Sequence, residues 1–345
     1  METRYKETPV RKSLRSYSPH RFFDTNHVFA ETAKHRLAVI LPCYNEQATI
    51  ARVVTDFRQA LPDAVIYVFD NGSSDGTADK ARKAGAIVRR VNLPGKGNVV
   101  RRMFADVDAD IYIMADGDAT YHAASAPAMI RKLLRDNLDM VVGIRNHQSN
   151  EAYRRGHKSG NRLLTSTTTS IFGSGFTDML SGYRVFSHRF VKSFPAMSQG
   201  FEIETELAIH ALELRMPCGE VSTPYGARPE ESESKLRTYS DGFRILKTII
   251  KLFAMERPLR FYGLIAIGFI LSAIILAVPI VITYLETGMV PRFPTAILST
   301  GLVITGAIVF ITGLILETVT VGRREIKQLH YLSMPPVSSM SMNED

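Results

Sequence analysis

The sequence predicts an α/β domain built on a mostly parallel sheet, followed by an amphipathic helix and two helices that cross a membrane. Three observations support this prediction. Between residues 36 and 239, short apolar runs alternate with longer segments of helical periodicity. Residues 240–260 repeat apolar side chains every three or four positions. Residues 261–285 and 293–316 contain no charged side chain.

The alternation begins with a buried strand and continues through five strand-like runs. These runs are, in order, RLAVILP, AVIYVFD, AIVRR, DIYIMAD and DMVVGIR. The helical segments between them are QATIARVVTDFRQAL, ADKARKA, GNVVRRMFADV and a helix opened by Ser125 and Pro127. We expect Thr77 to cap the second helix and Gly85 to end it. Strands and helices that alternate at these lengths indicate a parallel sheet with helices on both faces.

The two uncharged runs each exceed the roughly 20 residues that a spanning helix needs. The connecting segment ETGMVPRFP carries one arginine and one glutamate, whereas basic residues flank both outer ends. The positive-inside rule therefore predicts an integral protein of the inner (cytoplasmic) membrane, with the folded domain and both termini in the cytoplasm. The flanking residues are Lys247, Lys251, Arg257 and Arg260 before the first run, and Arg323, Arg324 and Lys327 after the second.

The remaining boundaries follow from composition. Residues 1–35 are polar and show no periodicity, so we expect a mobile tail before the domain at 36–239. Residues 240–260 are typical of an interfacial helix on anionic headgroups, with an ordinary helix packed on the domain as the alternative. Residues 261–321 would then form a transmembrane hairpin, and residues 322–345 a cytoplasmic tail.

Composition limits the partners. The two cysteines provide neither a disulfide framework nor a metal cluster, which fits a reducing compartment. A net charge of +8 suits nucleic acid, anionic lipid or simply solvated faces. With two spans present, a lipid surface is the favoured partner. No nucleic acid is expected, because the chain contains no recognisable reading element.

Charged side chains stand where the predicted strands end. Glu46 follows the first strand, Asp70 ends the second, Asp116 and Asp118 follow the fourth, and Arg145 ends the fifth. In a doubly wound sheet the ligand crevice lies outside these carboxyl ends. The stretch YIMADGDATYHA taken alone could be an Asp-Gly surface turn. Beside the other charged strand ends it predicts a site for a divalent cation and a phosphorylated substrate, since Mg²⁺ and Mn²⁺ prefer oxygen ligands.

The segment LPGKGN supplies glycines for close backbone approach and Lys96 as a point charge for phosphate. It lacks the GxxxxGK[ST] spacing of a Walker loop. No GxGxxG follows the first strand, which disfavours dinucleotide oxidoreduction.

Six segments that occur in order resemble family 2 glycosyltransferases: VILPCYNEQATI, VFDNGSSDGTAD, GKGN, ADGDATY, DMLSGYRVFS and SESKL. The similarity runs from about Leu37 to Val321 and is specific to the polyprenyl-phosphate branch, which includes dolichyl-phosphate mannose synthases and bactoprenol glucosyltransferases. It implies a GT-A-like nucleotide-sugar-binding domain. It also implies a membrane-bound, metal-dependent, inverting transfer from a nucleotide diphosphate sugar, preferably UDP-linked, to a polyprenyl phosphate for cell-envelope glycan or glycolipid modification. A homo-oligomer assembled through the spans is a further expectation.

The resemblance also implies roles for individual residues. The metal, Mg²⁺ or Mn²⁺, would bind Asp116 and Asp118. The donor would contact Pro42, Tyr44, Asn45, Glu46, Asp70, Lys96, Asp116, Ser234 and Lys235. The acceptor phosphate would contact Arg145, Arg155, Ser159 and Ser181, with Asp178 and Gly182 in the same Ser-Gly segment. The catalytic set implied is Asp118, Arg145, Arg155 and Ser159.

Two departures from the family pattern argue against inferring mannose as the sugar. Thr120 stands where mannose synthases tend to have a glutamine that can complete the metal shell. The segment RPEESESKL lacks the arginine and glycine that often precede SKL, and Arg228 is the candidate for the missing charge. Two alternatives also stay open at this point. The basic run around Arg155 could be a solvated helical face, and Glu206 could be a structural cap.

The sequence disfavours two other function classes. A processive polysaccharide synthase would share the nucleotide-binding domain, but this chain has no Trp for a Gln-x-x-Arg-Trp motif and too few spans for a channel within one subunit. A non-catalytic membrane-anchored nucleotide-sugar-binding module is disfavoured by the intact Asp116 and Asp118 pair, by Lys96 and by the arginines.

Overall fold

The computed structural model describes residues 34–147, 176–226 and 238–337. The strands in these ranges are β1 (Leu37–Cys43), β2 (Val65–Asp70), β3 (Ile87–Arg90), β4 (Ile111–Met114), β5 (Met140–His147), β6 (Arg184–Ser187) and β7 (Cys218–Tyr225). The helices that accompany the sheet are α1 (Ile50–Ala60), α2 (Thr77–Lys83), α3 (Lys96–Asp106), α4 (Ala126–Arg135), α5 (His188–Ser193) and α6 (Ile203–Glu213). Three C-terminal helices follow: α7 (Thr238–Glu256), α8 (Pro258–Thr287) and α9 (Phe293–Leu332).

The strands form one sheet in the order β3-β2-β1-β4-β6-β5-β7. Strand β1 pairs in parallel with β2 and β4, β2 with β3, and β5 with β7. Strand β6 lies antiparallel between β4 and β5. The predicted mostly parallel α/β sheet is therefore confirmed. The inserted β6 leaves the carboxyl ends of β4 and β5 at the same edge and starts its own run at that edge.

Two apolar layers cover the sheet, as the fully buried β1 requires. On one face, Leu37, Val39 and Leu41 pack with side chains of α1 and α4. On the other, Ala38 and Ile40 pack with side chains of α3, α5 and α6. Alternation along a single strand thus supplies both cores.

The start of α2 differs from the expectation that Thr77 caps this helix. Helix α2 begins at Thr77 itself, with Gly76 in the capping position. The Thr77 hydroxyl instead accepts a hydrogen bond from the Glu46 N–H at 2.8 Å and donates to Asp75. Thr77 therefore joins the loop after β1 to the helix after β2. Gly85, at φ 90°, lies just beyond α2, as expected for a helix-ending glycine.

Helices α8 and α9 are long and apolar enough to cross a membrane, with mean hydropathy 2.9 and 2.2 over their most apolar windows. Only 17% and 11% of those windows is buried, unlike the core helices of a soluble protein. The two helices pack on each other, and the Ser299 hydroxyl donates to the Ala273 carbonyl at 2.9 Å.

The C-terminal helices have different bounds from those expected. Helix α7 ends at Glu256, and α8 already begins at Pro258. Helix α9 continues to Leu332, past the expected boundary at residue 321. Its last turns pack on the sheet domain, where the Tyr331 hydroxyl donates to Asp139 Oδ2 at 2.6 Å.

Candidate active site

The loop after β1 is tied to the loop after β2. Asn45, at φ 52°, donates its N–H to Ser73 Oγ at 2.9 Å and accepts from the Ser74 N–H at 2.9 Å. Asp70, which is buried, accepts from the Ser73 N–H at 3.2 Å. Because Cys43 pairs with Asp70 in the sheet, these side chains share one corner of the carboxyl edge.

The donor-binding residues predicted in these two loops differ in exposure. Pro42 lies within β1. Glu46 is buried, and Tyr44 is half-exposed at the surface of the corner. The exposed ring of Tyr44 is the one large apolar surface among them that a planar base could contact.

The Gly-Lys-Gly turn packs against another part of the chain. Gly95 has φ 113°, and a Cβ built on Gly95 or Gly97 would lie 2.2 Å from the carbonyl oxygen of Gln199 or Ser198. The Gly97 N–H donates to the Gln199 carbonyl at 3.0 Å. The close approach expected of these glycines is therefore made to the chain's own backbone, and it fixes the direction in which Lys96 leaves the turn.

The Lys96 ammonium lies between two carboxylates. Its Nζ is 2.5 Å from Asp116 Oδ1 and 2.5 Å from Glu204 Oε1. Burial lowers the pKa of Lys96, but the two carboxylates outweigh this effect and raise the pKa above its usual range. Lys96 is therefore a permanent cation in the site. Glu204 was not among the predicted site residues, because nothing in the pattern GFEIETEL distinguishes it from its neighbouring glutamates.

Asp118 is buried in the turn after β4. Its Oδ1 accepts from the Thr120 N–H at 3.1 Å and from the Thr120 hydroxyl at 2.6 Å. Ala119 takes a left-handed conformation at φ 59°. A Cβ on Gly117 would lie 2.5 Å from Cys43 Sγ, so only glycine lets this turn pack against the end of β1.

On the other side of the turn, Arg145 forms a two-point ion pair with Asp178. Nε lies 2.8 Å from Oδ2 and Nη2 lies 2.7 Å from Oδ1. The guanidinium also stands 5.7 Å from the centre of the Tyr225 ring. The end of β5 is thus joined to the segment before β6.

The segment before β6 is held by buried polar contacts. The Ser181 hydroxyl is fully buried and donates to the Gly143 carbonyl at 2.6 Å. The Gly182 N–H donates to the Tyr121 hydroxyl at 2.8 Å, and burial raises the pKa of Tyr121 above its usual range. Because its hydroxyl is engaged by the backbone, the role of Ser181 toward an acceptor stays a prediction.

Arg184 also holds the segment before β6 in place. This fully buried arginine donates to the backbone carbonyls of Met179, Ser181 and Glu204 at 2.5, 3.0 and 2.9 Å. Burial lowers the pKa of Arg184 to about 10, so the side chain is still charged at neutral pH. Sequence reasoning missed Arg184, because an arginine at the start of a strand is ordinarily exposed.

Several predicted residues lie outside the described ranges. They are Arg155, Ser159, Ser234 and Lys235, together with Arg228 and the rest of the basic run. Of the predicted residues that are described, Lys96 and Asp116 are in direct contact, and Asp118 lies two positions further along the same turn. Glu206, for which a structural alternative was kept, accepts the N–H groups of Met197 and Ser198 at 2.8 and 2.7 Å.

The acidic pair fits a hard divalent cation. Within the described ranges no group of three or more His, Cys, Asp or Glu side chains could hold a metal by itself. Two carboxylates suffice for Mg²⁺ or Mn²⁺ when phosphates and water complete the shell. The chemistry of the set therefore suits a metal shared with a phosphorylated ligand.

Three comparisons with known proteins extend this picture. The profile of Glycosyl transferase family 2 matches residues 38–194. Glycosyltransferase AglJ of Haloferax volcanii is 34% identical over 250 residues, which are 72% of this chain and 81% of AglJ. Dolichyl-phosphate hexose transferase of the same organism is 28% identical over 221 residues, covering 64% and 95% of the two chains.

The fold is also that of a solved enzyme. Glucosyl-3-phosphoglycerate synthase from Mycobacterium tuberculosis, crystallised with Mn²⁺, UDP-glucose and phosphoglyceric acid, superposes with a TM-score of 0.58 at 22% identity. The match covers 69% of this chain and 86% of the synthase, and it shows a shared GT-A-like fold. Given the family profile and the extent of the match to AglJ, the chain belongs to glycosyl transferase family 2, and the names of its relatives support the polyprenyl-phosphate branch.

Proposed function

We propose that this chain is a membrane-bound inverting glycosyltransferase that moves a sugar from a UDP-linked donor to a polyprenyl phosphate. The observation that carries the proposal is the cluster of Asp116, Asp118 and Lys96 at the edge of a sheet whose chain continues into two exposed apolar helices. A relative named for dolichyl-phosphate supports the acceptor class. A structural neighbour crystallised with UDP-glucose and Mn²⁺ supports the donor class.

The reaction is a single displacement. A lipid monophosphate is anionic at neutral pH, with a second pKa near 6, so it needs no general base. One of its oxygens forms a bond to the anomeric carbon while the bond from that carbon to the donor diphosphate breaks, and the electron pair leaves with the diphosphate. Attack from the opposite side inverts the carbon, so an α-linked donor gives a β-linked lipid phosphate sugar.

On the donor side, the chain supplies a binding corner and positive charge. Tyr44, Asn45, Glu46 and Asp70 would hold the nucleoside, and Pro42 lines the same corner. Lys96 would bind the diphosphate, as would Ser234 and Lys235. A divalent ion held by Asp116 and Asp118 would neutralise the charge that develops on the departing diphosphate.

On the acceptor side, the proposal relies on arginine. The planar guanidinium matches phosphate oxygens in pairs, which suits Arg145 and Arg155 for in-line placement of the nucleophile. Ser159, four positions after Arg155 in the sequence, would add a hydroxyl. Ser181 is the weakest member of this set, because its buried hydroxyl already donates to the Gly143 carbonyl.

The membrane arrangement completes the proposal. Helices α8 and α9 would span the inner membrane with both termini cytoplasmic, and α7 would lie on the headgroups. Phe243 and Ile250 of α7 are exposed, as are Lys247 and Lys251. Exposed apolar and basic side chains on one helix suit an anionic lipid surface.

One donor screen tests the reaction. The full chain in lipid nanodiscs is given labelled UDP- and GDP-sugars with a polyprenyl phosphate and Mn²⁺, and the organic-phase product is analysed by mass and by the anomeric proton signal. We expect a single β-linked sugar on the lipid phosphate. A polymer would indicate the processive synthase, and donor binding with no product from any donor would indicate the non-catalytic module.

Two further measurements test the acceptor side and the topology. For Arg155→Ala we expect the KM for lipid to rise while that for donor barely moves, and the opposite result would assign Arg155 to the leaving group. A reporter after Leu332 should behave as cytoplasmic, and one near Met289 as external. A cytoplasmic signal near Met289 would show that the two helices form a re-entrant or peripheral hairpin instead of spanning the membrane.

A further inference from the structure

The charged carboxylate of Glu204 is stabilised by the ammonium of Lys96. Its Oε1 lies 2.5 Å from Lys96 Nζ, and the side chain is almost completely buried. Its other oxygen, Oε2, is buried and accepts no hydrogen bond from the described residues. A buried carboxylate without a partner is costly, so the Lys96 ammonium is what makes a charged Glu204 tolerable.

The contact between Lys96 and Glu204 is fixed by backbone on both sides. Lys96 is the first residue of α3, and its flanking glycines pack against the carbonyls of Ser198 and Gln199. Glu204 lies in the first turn of α6, and its own carbonyl accepts from the buried Arg184 at 2.9 Å. The backbones of Lys96 and Glu204 are therefore held at a fixed separation, which keeps the two side chains within reach of each other.

The contact between Lys96 and Asp116 is of another kind. Asp116 stands in the turn after β4, and its side chain is more exposed than that of Glu204, at 28% against 5%. A divalent ion on Asp116 would bind the carboxylate that the ammonium already contacts through Oδ1. Like charges at this range repel strongly in a buried site. A diphosphate would offer the ammonium another set of anionic oxygens.

We propose that Glu204 is a positioning residue that holds the Lys96 ammonium at the metal site. When the metal binds Asp116, Lys96 leaves Asp116 and binds the donor diphosphate instead. This inference rests on the proposed function. Lys96 then competes with the metal when no nucleotide is present, and the diphosphate relieves the competition. Metal and nucleotide must consequently strengthen each other's binding, because such coupling is reciprocal.

The decisive variant is Lys96→Met combined with Glu204→Gln. It removes one positive and one negative charge, so the net charge of the site is unchanged and no buried Glu204 carboxylate is left without a cation. Mn²⁺ binding to the full chain in nanodiscs is measured from the electron paramagnetic resonance signal of free Mn²⁺, with and without UDP. Without UDP we expect the double variant to bind Mn²⁺ at least about fivefold more tightly than the wild type, because Asp116 has lost its competitor.

UDP supplies the second readout. The factor by which UDP tightens Mn²⁺ binding should shrink at least about fivefold in the double variant. The matched control is Lys132→Met combined with Asp136→Asn, which removes an ion pair of 2.9 Å on the exposed face of α4 and should leave both readouts unchanged. Wild-type Mn²⁺ affinity in the double variant would overturn the proposal.

A single variant covers the case in which the double variant does not fold. In Glu204→Gln, Asp116 is the one carboxylate left to Lys96 among the described residues, so Mn²⁺ alone should bind at least about threefold more weakly. Unchanged Mn²⁺ affinity of the folded protein would reject the positioning role. Failure of the proposed function looks different, since it appears as absence of lipid product from the wild type, whatever the Mn²⁺ result.

Discussion

The guanidinium of Arg145 forms a two-point ion pair with the carboxylate of Asp178, through contacts of 2.8 and 2.7 Å. Asp178 is buried, and its backbone lies in the segment that leads into β6. An acceptor phosphate that reached Arg145 would therefore meet an arginine whose plane is already set by a carboxylate. Such preorganisation favours in-line placement of the phosphate.

Replacing Arg145 by lysine tests that geometry. Arg145→Lys keeps the charge and loses the two-point contact. We therefore expect polyprenyl phosphate to lose about 2 kcal/mol of binding free energy, which is measured as a higher KM for the lipid. Arg145→Ala should cost more than Arg145→Lys. The measurement varies lipid at saturating donor, then donor at saturating lipid. A rise confined to the donor constant would contradict the assignment.

The proposed metal-binding role of Asp116 and Asp118 is tested by Asp118→Asn. This change removes a carboxylate charge while Thr120 can still donate to the remaining oxygen, so the turn should keep its shape. We expect Mn²⁺-dependent sugar transfer to fall at least about 100-fold. Asp136→Asn, at the exposed position that directly follows α4, is the control. Full wild-type activity in excess chelator would reject metal dependence.

A substitution at Gly182 tests the space beside Asp116 and Lys96. A Cβ at this position would lie 2.7 Å from Asp116 Oδ2 and 3.2 Å from Lys96 Nζ. Gly182→Ala should therefore displace Asp116 and lower Mn²⁺ affinity about tenfold in a folded protein. Gly226→Ala is a matched control, since among the described residues its Cβ would meet only Thr120 O, at an ordinary 3.8 Å. Equal Mn²⁺ affinities for the two variants would show that the site tolerates the methyl group.

The junction between α7 and the sheet domain should respond to pH. Burial, together with the adjacent and hydrogen-bonded Glu213 carboxylate, raises the pKa of Glu256 to about 7. The unfolded chain loses this proton near the ordinary pKa of about 4.3. The folded state keeps the proton longer, so stability is lost as pH rises from about 4.5 to about 7.

Glu256→Gln, which mimics the protonated form, should remove that loss. We expect the Tm of the variant to exceed that of the wild type by several degrees at pH 8, and the difference to vanish near pH 4.5. His210, whose pKa is lowered to about 4 by burial, is common to both proteins, so its own pH effect cancels. A difference in Tm that is constant with pH would refute the elevated pKa.

The last turn of α9 should stabilise the sheet domain through Tyr331. Its hydroxyl donates to Asp139, and its ring lies 4.8 Å from the Arg189 guanidinium. Tyr331→Phe keeps the ring and deletes a hydrogen bond to a buried carboxylate, worth about 1.5–3 kcal/mol. Tyr284→Phe, at an exposed position on α8, is the control. Equal thermal stability of the two variants would show that the hydrogen bond from Tyr331 to Asp139 contributes nothing.

The sequence by itself determined the elements whose side chains repeat locally. The apolar runs of β1, β2 and β4 and the carboxylates that follow them were visible because burial on both faces leaves a continuous apolar strand ending at polar residues. The two uncharged runs predicted α8 and α9, because length and composition are enough to identify a helix that can span a membrane. Asp116, Asp118 and Arg145 were assigned to the site because parallel strands bring their carboxyl ends to one edge.

Only the tertiary structure decided which distant groups meet. The short run RVFS gave no sign that β6 would insert antiparallel between β4 and β5, because strand direction depends on the neighbouring strands. Nothing local linked Lys96 to Glu204 or Tyr331 to Asp139. Such contacts arise when separate helices pack on one sheet, and their free energy depends on burial and exact distance, neither of which is encoded in local periodicity.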